Sequence, residues 1–252
     1  VAELKKDVKN ALVFHKGTTK AAPKLCVYGV PGVGKTTFAA QANAIIQPTE
    51  EGFQNVDCSR FEKAESFREV LENMKLLLSE KHSFSVYCLD TLDWLEALIF
   101  KNVCEEKSCQ SIEDIGYGKG YKFALTRWQF FLSYCDKLRD AGIGVLFLAH
   151  EKIKRFDNPL TESYDRYSLK LHDSASDLIK EYVDGLFFAN YKIFTKKETV
   201  GFGGEKVRGM TSGERVLYCQ EQPSFQAKNR FNMPEQINFD WASIQKHLTL
   251  EK

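Results

Sequence analysis

The chain has 252 residues, 43% of them apolar and 13% aromatic, which allows one large α/β domain or two small ones and excludes a disordered protein. Lysine and arginine total 35 against 34 acidic residues, a net charge of +1, so a surface that binds nucleic acid all over is excluded and any such contact must be local. No apolar run reaches the length of a membrane span, the first residues lack the apolar stretch of a signal peptide, and seven cysteines, some in expected core strands such as Cys26 and Cys88, suit reduced thiols in a cytosol.

The first expected strand is an apolar run at 24–28. It leads into Gly29, Val30, Pro31, Gly32, Val33, Gly34, Lys35 and Thr36, which fit the pattern G-x-x-x-x-G-K-[ST], and then into a helix-compatible stretch beginning Thr36, Thr37, Phe38. Strand, glycine loop and helix form the setting in which this octapeptide binds a nucleotide. Glycines let the main chain wrap tightly enough to aim its N–H groups at phosphate oxygens, and the helix N-terminus adds partial positive charge. Lys35 is expected on the β- and γ-phosphates of ATP, and the Thr36 hydroxyl on Mg²⁺.

A second short apolar stretch, 44–46, runs into Pro48, Thr49, Glu50, Glu51 and Gly52. Helical spacing of Phe67, Val70, Leu71, Met74 and Leu78 predicts a helix over 65–79, and a buried strand over 85–89 ends in Asp90. A helix over 92–104, a polar loop over 107–120 and a long helix over 121–139 follow. A central strand at 143–149 has His150 at its carboxyl end. Residues 151–172 are polar, basic and aromatic without a period and read as a loop. Beyond them come a helix over 174–183, a strand over 186–191 and a hairpin over 207–220 turning near Thr211, Ser212 and Gly213. A capping helix over 239–248 closes the order, so 236–252 is read as a C-terminal helical segment. Strands alternating with helices predict one domain of the α/β class, a mostly parallel central sheet flanked by helices with a C-terminal β-hairpin.

Asp90 sits where a carboxylate would support Mg²⁺, with a helix cap as the other reading. Asp93 reads as an exposed residue of the first helical turn. Glu50, ahead of Glu51, is the candidate to orient the attacking water, and His150 the candidate to sense the γ-phosphate. Cys104 and Cys109 lack a second pair of ligands for zinc.

In their order and spacing, the 29–36 loop, the 48–52 turn, the Asp90 strand and the run from Leu146 to His150 resemble a RecA-like P-loop ATPase core, over roughly residues 22–235. The chain looks like the compact phage-borne members, including the Sak-type single-strand annealing recombinases. That resemblance implies ATP and Mg²⁺ as cofactors, single-stranded DNA as partner, homo-oligomers, and a role in recombination or annealing, with a single-strand-binding protein as a further partner. It also implies that His150 couples the γ-phosphate to a DNA-touching segment over 151–172. There Lys154, Arg155, Phe156, Arg166, Tyr167 and Lys170 mix cations with aromatics as sequence-tolerant single-strand binding requires. Lys119 and Lys122 are weaker candidates. Lys228 and Arg230 resemble the K-x-R pair that such ATPases present to the neighbouring subunit's ATP. Leu12, Val13 and Phe14, in the 1–22 segment, could dock on a neighbour. Competing readings are a helicase or helicase-loader relative, a nucleotide-dependent regulatory module that binds protein, and a small-molecule kinase.

Overall fold

The computed structural model describes residues 21–200 and 204–248, with side chains described outside 195–209. The 1–22 segment proposed to dock on a neighbour therefore lies almost wholly outside the described residues. Five parallel strands make the centre of an open sheet: β1 (Lys24–Gly29), β2 (Ala44–Pro48), β4 (Val86–Asp90), β5 (Gly144–Phe156) and β7 (Gly185–Val200). The short strand β3 (Ser59–Arg60) adds parallel to β2, while β8 (Gly204–Tyr218) and β10 (Gln236–Asn238) add antiparallel beyond β7. The spatial order is β10-β8-β7-β1-β5-β4-β2-β3. The expected α/β class, a mostly parallel central sheet flanked by helices with a C-terminal β-hairpin, is what the chain folds into.

Burial explains the sequence pattern of these strands. All six residues of β1 and all five of β4 are buried, which is why they read as unbroken apolar runs rather than alternating ones. Layers of side chains cover both faces. One is built around Tyr28, Trp128, Phe131, Phe147 and Phe188, and the other around Val27, Phe38, Leu146, Phe187 and Trp241. Each large apolar side chain so buried contributes roughly 1.5–3 kcal/mol relative to exposure.

Helices α1 (Lys35–Ala40), α2 (Phe67–Ser79), α3 (Leu92–Lys107), α4 (Lys119–Asp140), α5 (Asp173–Tyr182) and α6 (Trp241–Gln245) pack on these faces. The predicted helices agree within a few residues, and in α2 and α5 a strong apolar period explains it. For α2, Ser66 Oγ accepts the Glu69 N–H at 3.2 Å and fixes the start.

Three expectations fail. Residues 151–172 are not a loop: β5 runs on past the core to Phe156 and pairs antiparallel with β6 (Tyr164–Leu169). The hairpin does not turn near Thr211, Ser212 and Gly213. These lie inside β8, at a bulge where the register with β7 shifts from Tyr191↔Arg215 to Ile193↔Thr211. Gly213 takes φ 76° there, the left-handed conformation that a bulge and a turn both draw from glycine. Finally, the segment read as helical over 236–252 is not one helix in its described part, 236–248, where β10 occupies the start and α6 spans only five residues.

Candidate nucleotide-binding site

The carboxyl ends of β1, β5, β4 and β2 lie side by side, with Gly29 opposite His150, Leu148 opposite Asp90, and Asp90 opposite Pro48. Side chains that leave the sheet at this edge converge over the start of α1, where ligands of open α/β sheets bind. The loop begins at Gly29 because β1 and β7 come too close there for anything larger: a β-carbon would collide with Ala189 O. Gly32 and Gly34 take φ 77° and 97°, so the loop turns back on itself and leads directly into α1. With no side chain capping α1, the first amides of the helix are left for an anion.

Lys35 is buried and its Nζ donates to Gly29 O at 2.9 Å and Val30 O at 3.3 Å. Burial pulls its ammonium below the usual lysine range, against the opposing pull of Asp90, Glu151, Glu50 and Asp93. A triphosphate beside it would supply the negative charge that restores it. Thr36 Oγ1 donates to Asp90 Oδ2 at 2.7 Å. Burial pushes the Asp90 carboxyl up, and the Thr36 hydrogen bond and Lys35 only partly offset it. A hydroxyl and a buried carboxylate whose charge needs compensation are hard oxygen donors of the kind Mg²⁺ takes, so these two residues fit the metal. Among the described residues no cluster of three or more His, Cys, Asp or Glu side chains offers another metal site.

Glu50 is placed by its neighbour. Thr49 Oγ1 donates to Thr91 O at 2.9 Å and accepts the Thr91 N–H at 2.8 Å, while the Thr49 N–H donates to Asp90 O at 2.8 Å. These bonds lock the end of β2 to the end of β4, and the Asp90–Thr91 peptide is cis. Glu50 Oε1 then lies 3.9 Å from His150 Nε2, with 22% of its side chain exposed. Burial raises its carboxyl above the ordinary range, with His150 opposing. Glu51 is 85% exposed and pairs with Lys63 at 2.8 Å, outside the cluster.

Asp93 corrects the sequence reading. It is not an exposed first-turn residue, for only 8% of its side chain meets solvent. Its Oδ1 accepts the His150 N–H at 3.1 Å, and its Oδ2 lies 2.9 Å from His150 Nδ1. Burial works against the carboxylate, but its bonds to His150 outweigh that and hold Asp93 below its usual range. In return the hydrogen bond to Asp93 holds the His150 imidazole above its own. His150 therefore carries Nδ1–H toward Asp93 and turns Nε2 toward Glu50.

The candidates for DNA contact are less available than expected. Arg166 is a correction: its side chain is 11% exposed, it pairs with Glu221 at 2.8 Å, and it lies over the Phe156 ring at 4.6 Å. Tyr167 stacks on the core residue Phe188 at 4.9 Å. Lys154 pairs with Asp173 at 2.6 Å and Arg155 with Asp165 at 3.8 Å, both at the surface, and Lys170 is exposed. Lys119 and Lys122 open α4.

Lys228 and Arg230 lie at the other edge of the sheet. The short strand β9 (Lys228–Asn229) pairs with the amino end of β7 at Gly185 and Leu186. Lys228 Nζ donates to Lys180 O and Glu181 O at 2.8 and 3.0 Å, and Arg230 pairs with Asp184 at 3.2 Å. Within one chain they are not part of the nucleotide end. Sequence reasoning also missed Thr49, and with it Tyr191 and Arg215, which reach the loop from β7 and β8. Thr49 lies in the 48–52 turn without being singled out there, and no motif marks Tyr191 or Arg215.

Residues 21–231 match the family model AAA_24, described as an AAA domain, which is most of the chain. The chain belongs to this AAA domain family. Among solved structures, the flagellar accessory protein FlaH from Methanocaldococcus jannaschii aligns with 83% of this AAA domain chain and 88% of its own, at 11% identity and a TM-score of 0.34, too distant to bear on function. No curated protein matches the sequence. Family and loop together make this AAA domain a P-loop ATPase domain. No helix among the described residues is long and apolar enough to cross a membrane.

Proposed function

We propose that this protein is a Mg²⁺-dependent ATPase that couples hydrolysis to work on single-stranded DNA, in recombination or strand annealing of the phage type. The observation that carries the reading is the position of His150. It faces Glu50 with one nitrogen and Asp93 with the other, and it is also the residue at which β5 leaves the core to become a two-stranded hairpin.

In this reading Lys35 exchanges the carbonyls of Gly29 and Val30 for phosphate oxygens, and the loop amides hold the rest of the triphosphate. Mg²⁺ between Thr36 and Asp90 would neutralise charge on the β- and γ-phosphates. Glu50, its basicity raised by burial, orients the attacking water and takes its proton. His150 meets the terminal phosphate with Nε2 while Asp93 supports its positive charge. A change at the phosphate thus reaches the backbone N–H of His150 and the base of the hairpin through one carboxylate. Exposed Lys170, with Lys154 and Arg155 released from Asp173 and Asp165, would then meet DNA phosphates. If Lys228 and Arg230 act on a neighbour's ATP, their edge of one subunit must face the nucleotide edge of the next, a head-to-tail assembly.

ATP turnover measured with and without single-stranded DNA over a salt series tests the DNA part. A large stimulation that fades with salt is expected. One observation favours a second reading, a nucleotide-dependent module whose hairpin binds protein. The hairpin cations Lys154, Arg155 and Arg166 are already paired, while Ile153 and Leu160 are 64% and 89% exposed. Turnover indifferent to DNA would select that reading.

A further inference from the structure

We propose that Tyr191 and Arg215, opposite one another on β7 and β8, form the nucleoside wall of the site, with the Tyr191 ring and the Arg215 guanidinium flanking the base and ribose of the bound nucleotide. The inference rests on the nucleotide reading above and adds the end of the ligand that the phosphate loop leaves undefined.

The direction of the ligand follows from the sheet. Glu50, Asp90 and His150 all come from β2, β4 and β5, on one side of β1. If they surround the phosphate that is cleaved, the terminal phosphate points to that side, and the nucleoside must leave the loop toward β7 and β8. Tyr191 and Arg215 are what the chain places there. The Tyr191 hydroxyl donates to Gly32 O at 3.0 Å, and Arg215 Nη1 donates to Val33 O at 3.3 Å. Both therefore rest on the outer rim of the loop, using carbonyls that a phosphate cannot use.

They also lie on the correct face. Side chains two apart on a strand share a side, and Phe187, Ala189 and Leu217 from these strands pack in the layer that contains Phe38 and Ala39 of α1. Tyr191 and Arg215 continue that face beyond the core, beside the start of α1. The bulge in β8 begins immediately after their pairing, so the hairpin bends at the point where these two side chains reach the loop. Gly34 completes the fit. A β-carbon there would stand 2.5 Å from Arg215 Nη1, so the absence of a side chain is what lets the guanidinium lie against the loop. Arg215 is exposed and makes no ion pair among the described residues. An aromatic ring and a planar cation both bind π-faces without reading base edges, which suits a purine or pyrimidine nucleotide held through its face.

Affinities for Mg²⁺-ATP and for inorganic tripolyphosphate with Mg²⁺ separate this role from a phosphate role. In Tyr191→Ala and Arg215→Ala, ATP should bind about tenfold more weakly or worse, on the scale of base–aromatic stacking. Tripolyphosphate binding should stay at the wild-type value, which also shows that each variant is folded. Tyr191→Phe keeps the ring and loses only the bond to Gly32 O, so its ATP affinity should stay near wild type. Equal weakening of both ligands, or the same loss in Tyr191→Phe as in Tyr191→Ala, would overturn the inference, because the two side chains would then only shape the loop. Wild-type protein that binds neither ligand would instead overturn the nucleotide reading beneath it.

Discussion

Lys35 and Asp90 are both buried ionisable groups whose charge is disfavoured by the site as it stands, the lysine pulled down and the aspartate pushed up. Opposed shifts of this kind, beside a phosphate-type loop at the carboxyl ends of the strands, fit a place that receives a charged ligand. The octapeptide announced Lys35 and Thr36 because its glycines are spaced for one purpose. Glu50 and Glu51 could not be separated with the same clarity, since adjacent carboxylates in a turn look alike until Thr49 fixes which one points inward. Asp93 was misread for a related reason: the first turn of a helix is a common place for a solvated acid, and only the nearby His150 makes it a buried partner. Glu50→Gln should leave ATP affinity close to wild type and lower turnover about a hundredfold or more, read by single-turnover assays beside binding. Glu51→Gln, made in parallel, should turn over normally because its partner is Lys63.

Elements with strong period were legible and those with mixed composition were not. β1 and β4 are buried on both sides and read as apolar runs, and α2 and α4 carry apolar stripes. The β5–β6 hairpin is a two-stranded extension that is exposed along β5 from Ile153 to Phe156, while β6 buries Ser168 and Leu169 and exposes only Asp165, so no regular alternation records it. One further tie where the hairpin leads into α5 is Glu96 on α3, three residues beyond Asp93, whose Oε1 and Oε2 accept the His172 N–H at 3.1 and 2.9 Å. Burial raises the Glu96 carboxyl to about 7, with the His172 N–H opposing. The folded chain then holds a proton that the unfolded chain releases near pH 4.5. This group therefore costs stability progressively as pH rises from about 4.5 to about 7. Glu96→Gln keeps an acceptor for His172 and removes the titration. Thermal melts should show the variant gaining on wild type as pH is raised from 5 to 8. A constant difference across that range would place the strain elsewhere.

At the scale of the whole molecule, the insertion of β5 between β1 and β4 brings together residues separated by more than a hundred positions in sequence. That order puts His150 between the phosphate loop and Asp90; the alternation of strands and helices foretold a mostly parallel sheet, but it does not fix the order of the strands. What sequence could not reveal was the far side of β1, where Tyr191 and Arg215 depend on a bulge and on pairing between long strands. Nor could it reveal that Lys228 and Arg230 lie at the opposite edge. Equilibrium binding and turnover of Mg²⁺-ATP by wild-type protein and Lys35→Ala test the central claim most directly. Wild-type protein is expected to bind and hydrolyse ATP, and Lys35→Ala to lose turnover altogether with sharply weakened binding. A Lys35→Ala protein that hydrolyses ATP at the wild-type rate, or a wild-type protein with no affinity for it, would contradict the account.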